Sequence, residues 1–389
     1  MATVAGIEGN VLLERARALA PVIEQHRDEG ERERQLPQPI YEAMRDAGLY
    51  NMLLPRALGG YQTEIVPSLL VYEEIARQDG AVGWNIMIGS QGGMFSDYLP
   101  EAAARDVYAS GDAICAGSFG PTGRAIPVES GYRLTGRWAF ASGCKHATWL
   151  VCGALIMENG QPRMRENGAP DIQILYVPAR EGRILDTWYS GGLRGTGSHD
   201  IELDDVFVPQ ERCFAFASLA VGPAERASTG YTQPFVSLAS VGMAALALGI
   251  ARDALDSFKQ LATEKTPSSG SLKLMAQPVV QDRYAEAVAL VASSRLYFYD
   301  AAEQLAASAH PTPDDLTLVR LACAHAVRSC ERAVEIVYSL GGGTAVYTTS
   351  RLDRCFRDVH TLSHHIAVSP SHFEMAGQYL LGGEMQARR

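Results

Sequence analysis

Three histidines near the end of the sequence, His360, His364 and His365, form the most suggestive group of acid–base or ligand side chains. On a helix His360 and His364 share a face, four residues apart, with His365 about 100° round from them. That spacing occurs among metal ligands, but a metal site needs a third ligand and usually a nearby carboxylate, and His360-Thr-Leu-Ser-His364 lacks the Glu of the HExxH pattern. The plainer reading makes each a structural histidine beside a salt-bridged helix face of Arg354, Arg357 and Asp358. Ser142 could pair with His365 as a nucleophile and its base, yet the sequence around Ser142 has no Gly-x-Ser-x-Gly elbow. Gly191 to Ser198 (GGLRGTGS) is glycine-rich but lies between two strand-like runs. It therefore lacks the strand-to-helix setting of a dinucleotide fingerprint. Gly341 to Gly343 follow a helical pattern and read as a C-cap and connector.

The elements that must carry these groups fall into three regions. Up to about Pro100 the apolar periodicity is helical. Leu12, Ala16, Leu19 and Ile23 make one stripe, Pro39 opens a helix closed by Gly48, Pro67 starts a third, and Gly83 to Tyr98 suggests a fourth. From Ala113 to about residue 215, short runs such as Tyr132-Arg-Leu-Thr, Trp149-Leu-Val-Cys, Ile172 to Val177 and Ile201-Glu-Leu alternate with turn residues and predict strands. Helices return after Pro234. Val280, Tyr284, Ala287, Val291 and Ser294 form one stripe there. Leu316, Val319, Cys323, Ala326, Cys330, Ala333, Val337 and Leu340 form a heptad-like seam, which reads either as packing within the chain or as a subunit contact. A last helix spans about Asp353 to Leu381, broken or kinked at Pro370. The pattern predicts an N-terminal helical domain over 1–112, a β-domain over 113–220 and a C-terminal helical bundle over 221–389.

Composition bounds the function. The 389 residues carry 34 Lys and Arg against 44 Asp and Glu, a formal charge of −10, which argues against a protein that mainly grips a phosphate backbone. The seven cysteines are odd in number and without zinc-knuckle or dithiol spacing, as expected of buried thiols in a reducing compartment. Cys323 and Cys330 fall on the heptad seam and read as core residues. The N-terminus lacks the basic and apolar blocks of a secretion signal, and the apolar window Val236 to Ala251 is short for a bilayer span. A soluble cytoplasmic protein, binding neither nucleic acid nor membrane, is the expectation.

Four segments in order, Ala116 to Ala125 (AGSFGPTGRA), Gly136 to Trp149 (GRWAFASGCKHATW), Asp186 to Ser198 (DTWYSGGLRGTGS) and Arg354 to His365 (RCFRDVHTLSHH), resemble the acyl-CoA dehydrogenase superfamily. The likeness runs from Ala18 to Gly382 and is strongest to the two-component flavin-dependent monooxygenases, the group D aromatic hydroxylases. It implies an α+β fold: N-terminal helical domain, middle antiparallel barrel or sandwich, and C-terminal four-helix bundle.

The resemblance also implies a site. Phe140 matches the aromatic residue beside the flavin ring, Ser142 the hydroxyl near flavin N5, and Ala141 lies between them. Phe119 and Ser118 match positions lining the ring and the substrate side. Arg194, Thr196 and Ser198 match a stretch that shapes the flavin pocket, and Trp84 matches a pocket aromatic. Trp84, Phe119, Trp149 and His146 together suggest an aromatic-lined substrate cavity. Where acyl-CoA dehydrogenases commonly place a catalytic Glu after an Arg-Asp pair, Arg357-Asp358 is followed by His364, His365 and Ile366. His365 is the better match to the hydroxylases' histidine, which would deprotonate a phenol or stabilise a flavin C4a-hydroperoxide; His364 competes for the role. The implied enzyme takes diffusible reduced FMN or FAD from a separate NAD(P)H-dependent flavin reductase, uses O2, hydroxylates an aromatic or heteroaromatic small molecule, and assembles as a homotetramer. The rival readings are an acyl-CoA dehydrogenase or flavin oxidase with its base elsewhere, and a catalytically silent binding protein on the same fold.

Overall fold

The computed structural model describes residues 7–221, 231–268 and 270–383. It opens with α1 (Ile7–Ala18), α2 (Ala20–Glu33), α3 (Gln38–Asp46), α4 (Ile65–Gln78), α5 (Gly80–Gln91) and α6 (Glu101–Tyr108). The stripe through Ile23 is shared by two helices, because Pro21, which has no N–H to donate, sits in the first turn of α2. The expected helix Gly83 to Tyr98 is α5 followed by a 3-10 segment over Gly92–Tyr98. Asp79 starts α5 by accepting from the N–H groups of Ala81 (3.0 Å) and Val82 (3.2 Å).

The middle region is one sheet: β1 (Cys115–Val128), β2 (Gly131–Trp138), β3 (Trp149–Glu158), β4 (Gln161–Pro162), β5 (Ile172–Pro178), β6 (Arg183–Leu185), β7 (Asp200–Pro209) and β8 (Cys213–Ala215). Its order is β6-β7-β2-β1-β3-β5-β8, with β4 on β3. The antiparallel expectation needs one correction, since β1 and β3 run parallel, Cys115 beside Trp149 and Ala125 beside Ile156. A parallel neighbour requires a crossover, and β2 with the turn over 139–148 supplies it. That turn carries Phe140, Ala141 and Ser142. Between Ser118 and Gly123 the β1 register slips in a bulge, which releases Ser118 and Phe119 from regular pairing.

After α7 (Ser218–Val221) come α8 (Phe235–Glu264), α9 (Pro278–Ala307), α10 (Pro313–Gly341), α11 (Arg351–Ser363) and α12 (Ser371–Leu380). Thr312 and Asp315 form a capping box at the start of α10. The heptad seam is spent inside the chain: Val319, Cys323, Ala326, Cys330, Ala333 and Val337 are fully buried in the same core as α4 and α8. α8, at 30 residues, is longer than the apolar window in the sequence suggested and is long and apolar enough to cross a membrane, but most of that stretch is buried in the core. The first and last helical regions share this core, while the sheet encloses a separate one around Trp138, Leu150 and Ile201. All seven cysteines are free, and six are buried.

The C-terminal helix breaks earlier than Pro370. α11 ends at Ser363, and the Nδ1 of His365 accepts from the Ala367 N–H at 3.1 Å, taking a donor that a continuing helix would have used. This break turns His364 and His365 out of the helix.

Candidate active site

Sheet, α5, α8 and the α11 break enclose a cavity of about 860 Å³. From α5 comes Trp84. β1 contributes Ser118 and Phe119 from its bulge, and the β2–β3 turn contributes Phe140 and Ser142. The loop before β7 contributes Thr196 and Ser198, and the α11 break contributes His364 and His365. Residues far apart in sequence thus meet because the parallel β1–β3 pairing and the shared helical core bring three regions to one place.

Phe140 has φ +64°, a left-handed conformation that an aromatic residue adopts at a cost. Its ring is exposed at the cavity mouth and stands edge-on to Trp188, at 6.2 Å between centroids and 81° between planes. Ala141 is fully buried behind this wall, its N–H donating to the His199 carbonyl at 3.0 Å. It shapes the turn without reaching the cavity. Ser142 sits at a junction: the Trp84 indole N–H donates to its Oγ at 3.0 Å, and Ser198 Oγ lies 2.7 Å away. Ser198 continues to Thr196 Oγ1 at 2.7 Å, and Thr196 donates to the Leu193 carbonyl at 2.8 Å.

The loop carrying Thr196 and Ser198 is fixed from several sides. Leu193 and Gly197 both have positive φ. The Leu193 N–H donates to Asp358 Oδ1 on α11 at 2.6 Å, and the Gly143 N–H donates to the Thr196 carbonyl at 3.0 Å. At Gly192 the loop approaches α11 so closely that an added Cβ would lie 2.1 Å from the Arg357 carbonyl oxygen. Arg194 points away from the cavity: its Nε donates to the Glu31 carbonyl at 3.0 Å and its Nη1 to the Ser190 carbonyl at 3.2 Å. It fastens the loop to α2.

The two adjacent histidines hold opposite tautomers. His365 Nδ1 is an acceptor, so in the neutral ring the proton is on Nε2. Burial pushes its pKa down to about 4, and its ring stands edge-on to Trp84 at 5.8 Å. At neutral pH it is a hydrogen-bond donor. His364 Nδ1 lies 2.8 Å from the His360 carbonyl and must donate to it, so in the neutral ring the lone pair is on Nε2.

The structure places His146 outside the cavity, against the expectation. The turn that exposes Ser142 carries His146 round to α3, where its Nε2 bonds to the Leu36 carbonyl at 2.8 Å and its ring stacks on Tyr41 at 4.5 Å. Trp149 also lies elsewhere, under the Arg212 guanidinium at 5.0 Å. The cavity uses residues the sequence reading passed over, among them Phe235, Ala239 and Met243. They recur every four residues on α8, a pattern indistinguishable from core packing. Trp188 lay within a quoted segment without being singled out. Among the described residues lining the cavity there is no Asp or Glu.

Two family models match the chain: the N-terminal domain of acyl-CoA dehydrogenase over residues 11–104 and the C-terminal domain over residues 241–370. The sequence is 30% identical over 392 residues to the oxygenase component of the FADH(2)-dependent resorcinol hydroxylase of Rhizobium sp. (strain MTP-10005), covering 96% of this chain and 94% of that protein. It is 29% identical over 350 residues to indole-3-acetate monooxygenase of Acinetobacter baumannii, covering 89% and 87%. The crystal structure of 3-HSA hydroxylase from Rhodococcus sp. RHA1 matches with a TM-score of 0.87 at 25% identity, over 97% of this chain and 98% of that one. The chain belongs to the acyl-CoA dehydrogenase-like family and, within it, to the oxygenase components of two-component flavin-dependent monooxygenases.

Proposed function

We propose that this chain hydroxylates a phenol- or indole-like substrate in the cavity between the sheet and the α11 break. The carrying observation is that one cavity of about 860 Å³ gathers Phe140, Ser142, Phe119, Trp84 and His365. Such a volume suits a flat heteroaromatic cofactor with a small arene beside it. The donor set agrees with a flavin. The exposed Phe140 ring and the Trp188 edge offer apolar faces at the mouth, and the buried hydroxyls of Ser142, Thr196 and Ser198 offer polar contacts to a ring edge. Reduced FMN or FAD bound there would supply the two electrons that activate O2, one of whose oxygen atoms reaches the substrate.

The chain's own part is binding, orientation and proton handling. Trp84, Phe119 and Phe235 form the apolar substrate wall with the Ser118 hydroxyl beside it, and Phe119 meets the Phe235 ring edge-on at 5.3 Å. His365 donates from Nε2 and so steadies negative charge on an oxygen in front of it. Of the two roles the family resemblance offers for His365, the occupied Nδ1 and the suppressed protonation favour the stabilising donor over the base. His364 Nε2, which carries the lone pair, takes the proton of a phenol or indole N–H as electron density moves to the attacked carbon. Among the described residues no carboxylate lines the cavity to remove the α-proton of a thioester, which counts against the dehydrogenase alternative.

Electrons come from a separate flavin reductase using NAD(P)H, and the protein works in the cytoplasm as a homotetramer. The apolar Ile366, which lines the cavity yet is 80% exposed, supports a neighbouring subunit closing the mouth. The experiment is a substrate panel mixed with chemically reduced FMN or FAD in air, without a reductase. A product heavier by one oxygen atom is expected; flavin reoxidation without oxygenated product across the phenol and indole panel contradicts the proposal.

A further inference from the structure

The hydroxyl chain beside the cavity has a direction. At one end the Trp84 indole nitrogen can only donate, and at the other the Leu193 carbonyl can only accept. Each of the three hydroxyls between them owns a single proton. Thr196 Oγ1 lies 2.8 Å from the Leu193 carbonyl oxygen, so the Thr196 proton must lie between those two oxygens. Ser198 then donates to Thr196, and Ser142 donates to Ser198, each over 2.7 Å. The Trp84 N–H, at 3.0 Å, takes one lone pair of Ser142. What Ser142 has left for the cavity is its other lone pair, and no proton.

The Leu193 carbonyl also accepts from the Trp188 indole N–H and the Thr196 N–H, each at 3.1 Å, but reversing the chain would still leave the Thr196 and Leu193 oxygens 2.8 Å apart with no proton between them. Thr196 is 1% exposed, so water offers no rescue there. The proton of each hydroxyl also polarises the next, so the three act together.

We propose that this relay, anchored by Thr196 on the Leu193 carbonyl, makes the site select reduced over oxidised flavin. The inference rests on the flavin reading above. Two-electron reduction converts ring N5 from a bare acceptor into an N–H donor. With Ser142 facing N5, as the family resemblance implies, an acceptor-only Ser142 pairs with the donor and opposes the bare nitrogen, lone pair against lone pair. Thr196 and Ser198 are positioning residues in this scheme, acting through Ser142. Thr196→Val removes the terminal acceptor of Ser198 while keeping the side chain's shape. The Ser198 proton then turns to Ser142, and the Ser142 proton turns into the cavity. Ser198→Ala frees the Ser142 proton by a different route. Both changes carry the same sign: weaker binding of reduced flavin and tighter binding of oxidised flavin.

The test is the dissociation constant of oxidised flavin by fluorescence quenching and of reduced flavin by anaerobic titration, with the midpoint potential of the bound flavin as a second readout. The wild type should bind reduced flavin more tightly. In Thr196→Val and in Ser198→Ala the ratio of the oxidised to the reduced constant should fall about tenfold, the scale of one hydrogen bond. The bound potential should fall by about 30 mV, since tenfold corresponds to that shift for a two-electron couple. In a Ser142→Ala background Thr196→Val should change neither quantity. If wild type prefers reduced flavin and both single variants keep the wild-type ratio within twofold, the relay is overturned while the flavin reading stands. If wild type binds neither redox state, the flavin reading falls and the relay with it. Should Thr196→Val fail to fold, Ser198→Ala decides alone.

Discussion

The backbone N–H of Leu193 donates a 2.6 Å hydrogen bond to the buried carboxyl of Asp358, so α11 directly holds the loop whose hydroxyls line the cavity. Leu193 has φ +50°, a conformation it keeps only because such contacts fix it. Asp358→Asn retains a carbonyl acceptor and should keep the loop in place. Asp358→Leu leaves the Leu193 N–H buried and unpaired, which should cost about 1–3 kcal/mol of stability. Urea denaturation, paired with reduced-flavin titration, measures both effects.

The same carboxyl predicts a pH dependence. Burial, with Asp79 nearby, pushes the Asp358 pKa up to about 7, above its unfolded value of about 4. The folded state therefore holds a proton that the unfolded chain releases in that window. The stability Asp358 contributes is complete below about pH 4 and is lost as pH rises through about 7. Asp358→Asn, which cannot ionise, should gain stability relative to wild type as pH is raised across that range. A difference independent of pH would contradict the raised pKa.

His365 predicts the opposite kind of profile. With a pKa near 4 it stays a neutral donor throughout the working range. The fraction of reduced flavin converted to hydroxylated product should therefore show no His365 titration between about pH 5 and 9. His365→Ala should bind reduced flavin as wild type does, yet lose about tenfold or more of the product yield. His365→Gln, which retains an N–H donor, should recover part of it. His364→Ala should instead slow turnover most for substrates that must lose a phenolic proton.

Phe140 separates stability from function. Its positive φ is strained and its ring is largely exposed, so little burial is lost on truncation. Phe140→Gly should leave stability unchanged or raise it by up to about 1 kcal/mol. Reduced-flavin affinity should fall in the same variant, because the aromatic face at the mouth is gone. Thermal unfolding and anaerobic titration of one preparation give both signs.

The helical, β, helical order was legible because period and turn residues report local structure, and Pro39 and Gly48 bracketed α3. The parallel β1–β3 pairing was not, since it depends on where a crossover returns the chain rather than on any local pattern. For the cavity, the four segments that carry the family likeness pointed to Phe119, Ser142, Ser198 and His365. They could not say that Arg194 and His146 turn outward, because both are decided by contacts with α2 and α3. The helix break runs from His364 to Pro370, and the proline marked only its far end. Proline is a visible signal, whereas an imidazole taking the Ala367 N–H is a tertiary choice. Phe235, Ala239 and Met243 stayed hidden because an apolar stripe facing a cavity looks like one facing a core.

Isotope labelling tests the central claim most directly. Wild-type protein mixed with chemically reduced flavin, oxygen-18 gas and a phenol or indole substrate should yield a product carrying one oxygen-18 atom, with none incorporated from labelled water. Product oxygen drawn from water, or flavin bleaching by an acyl-CoA thioester with no oxygen transferred, would contradict the account.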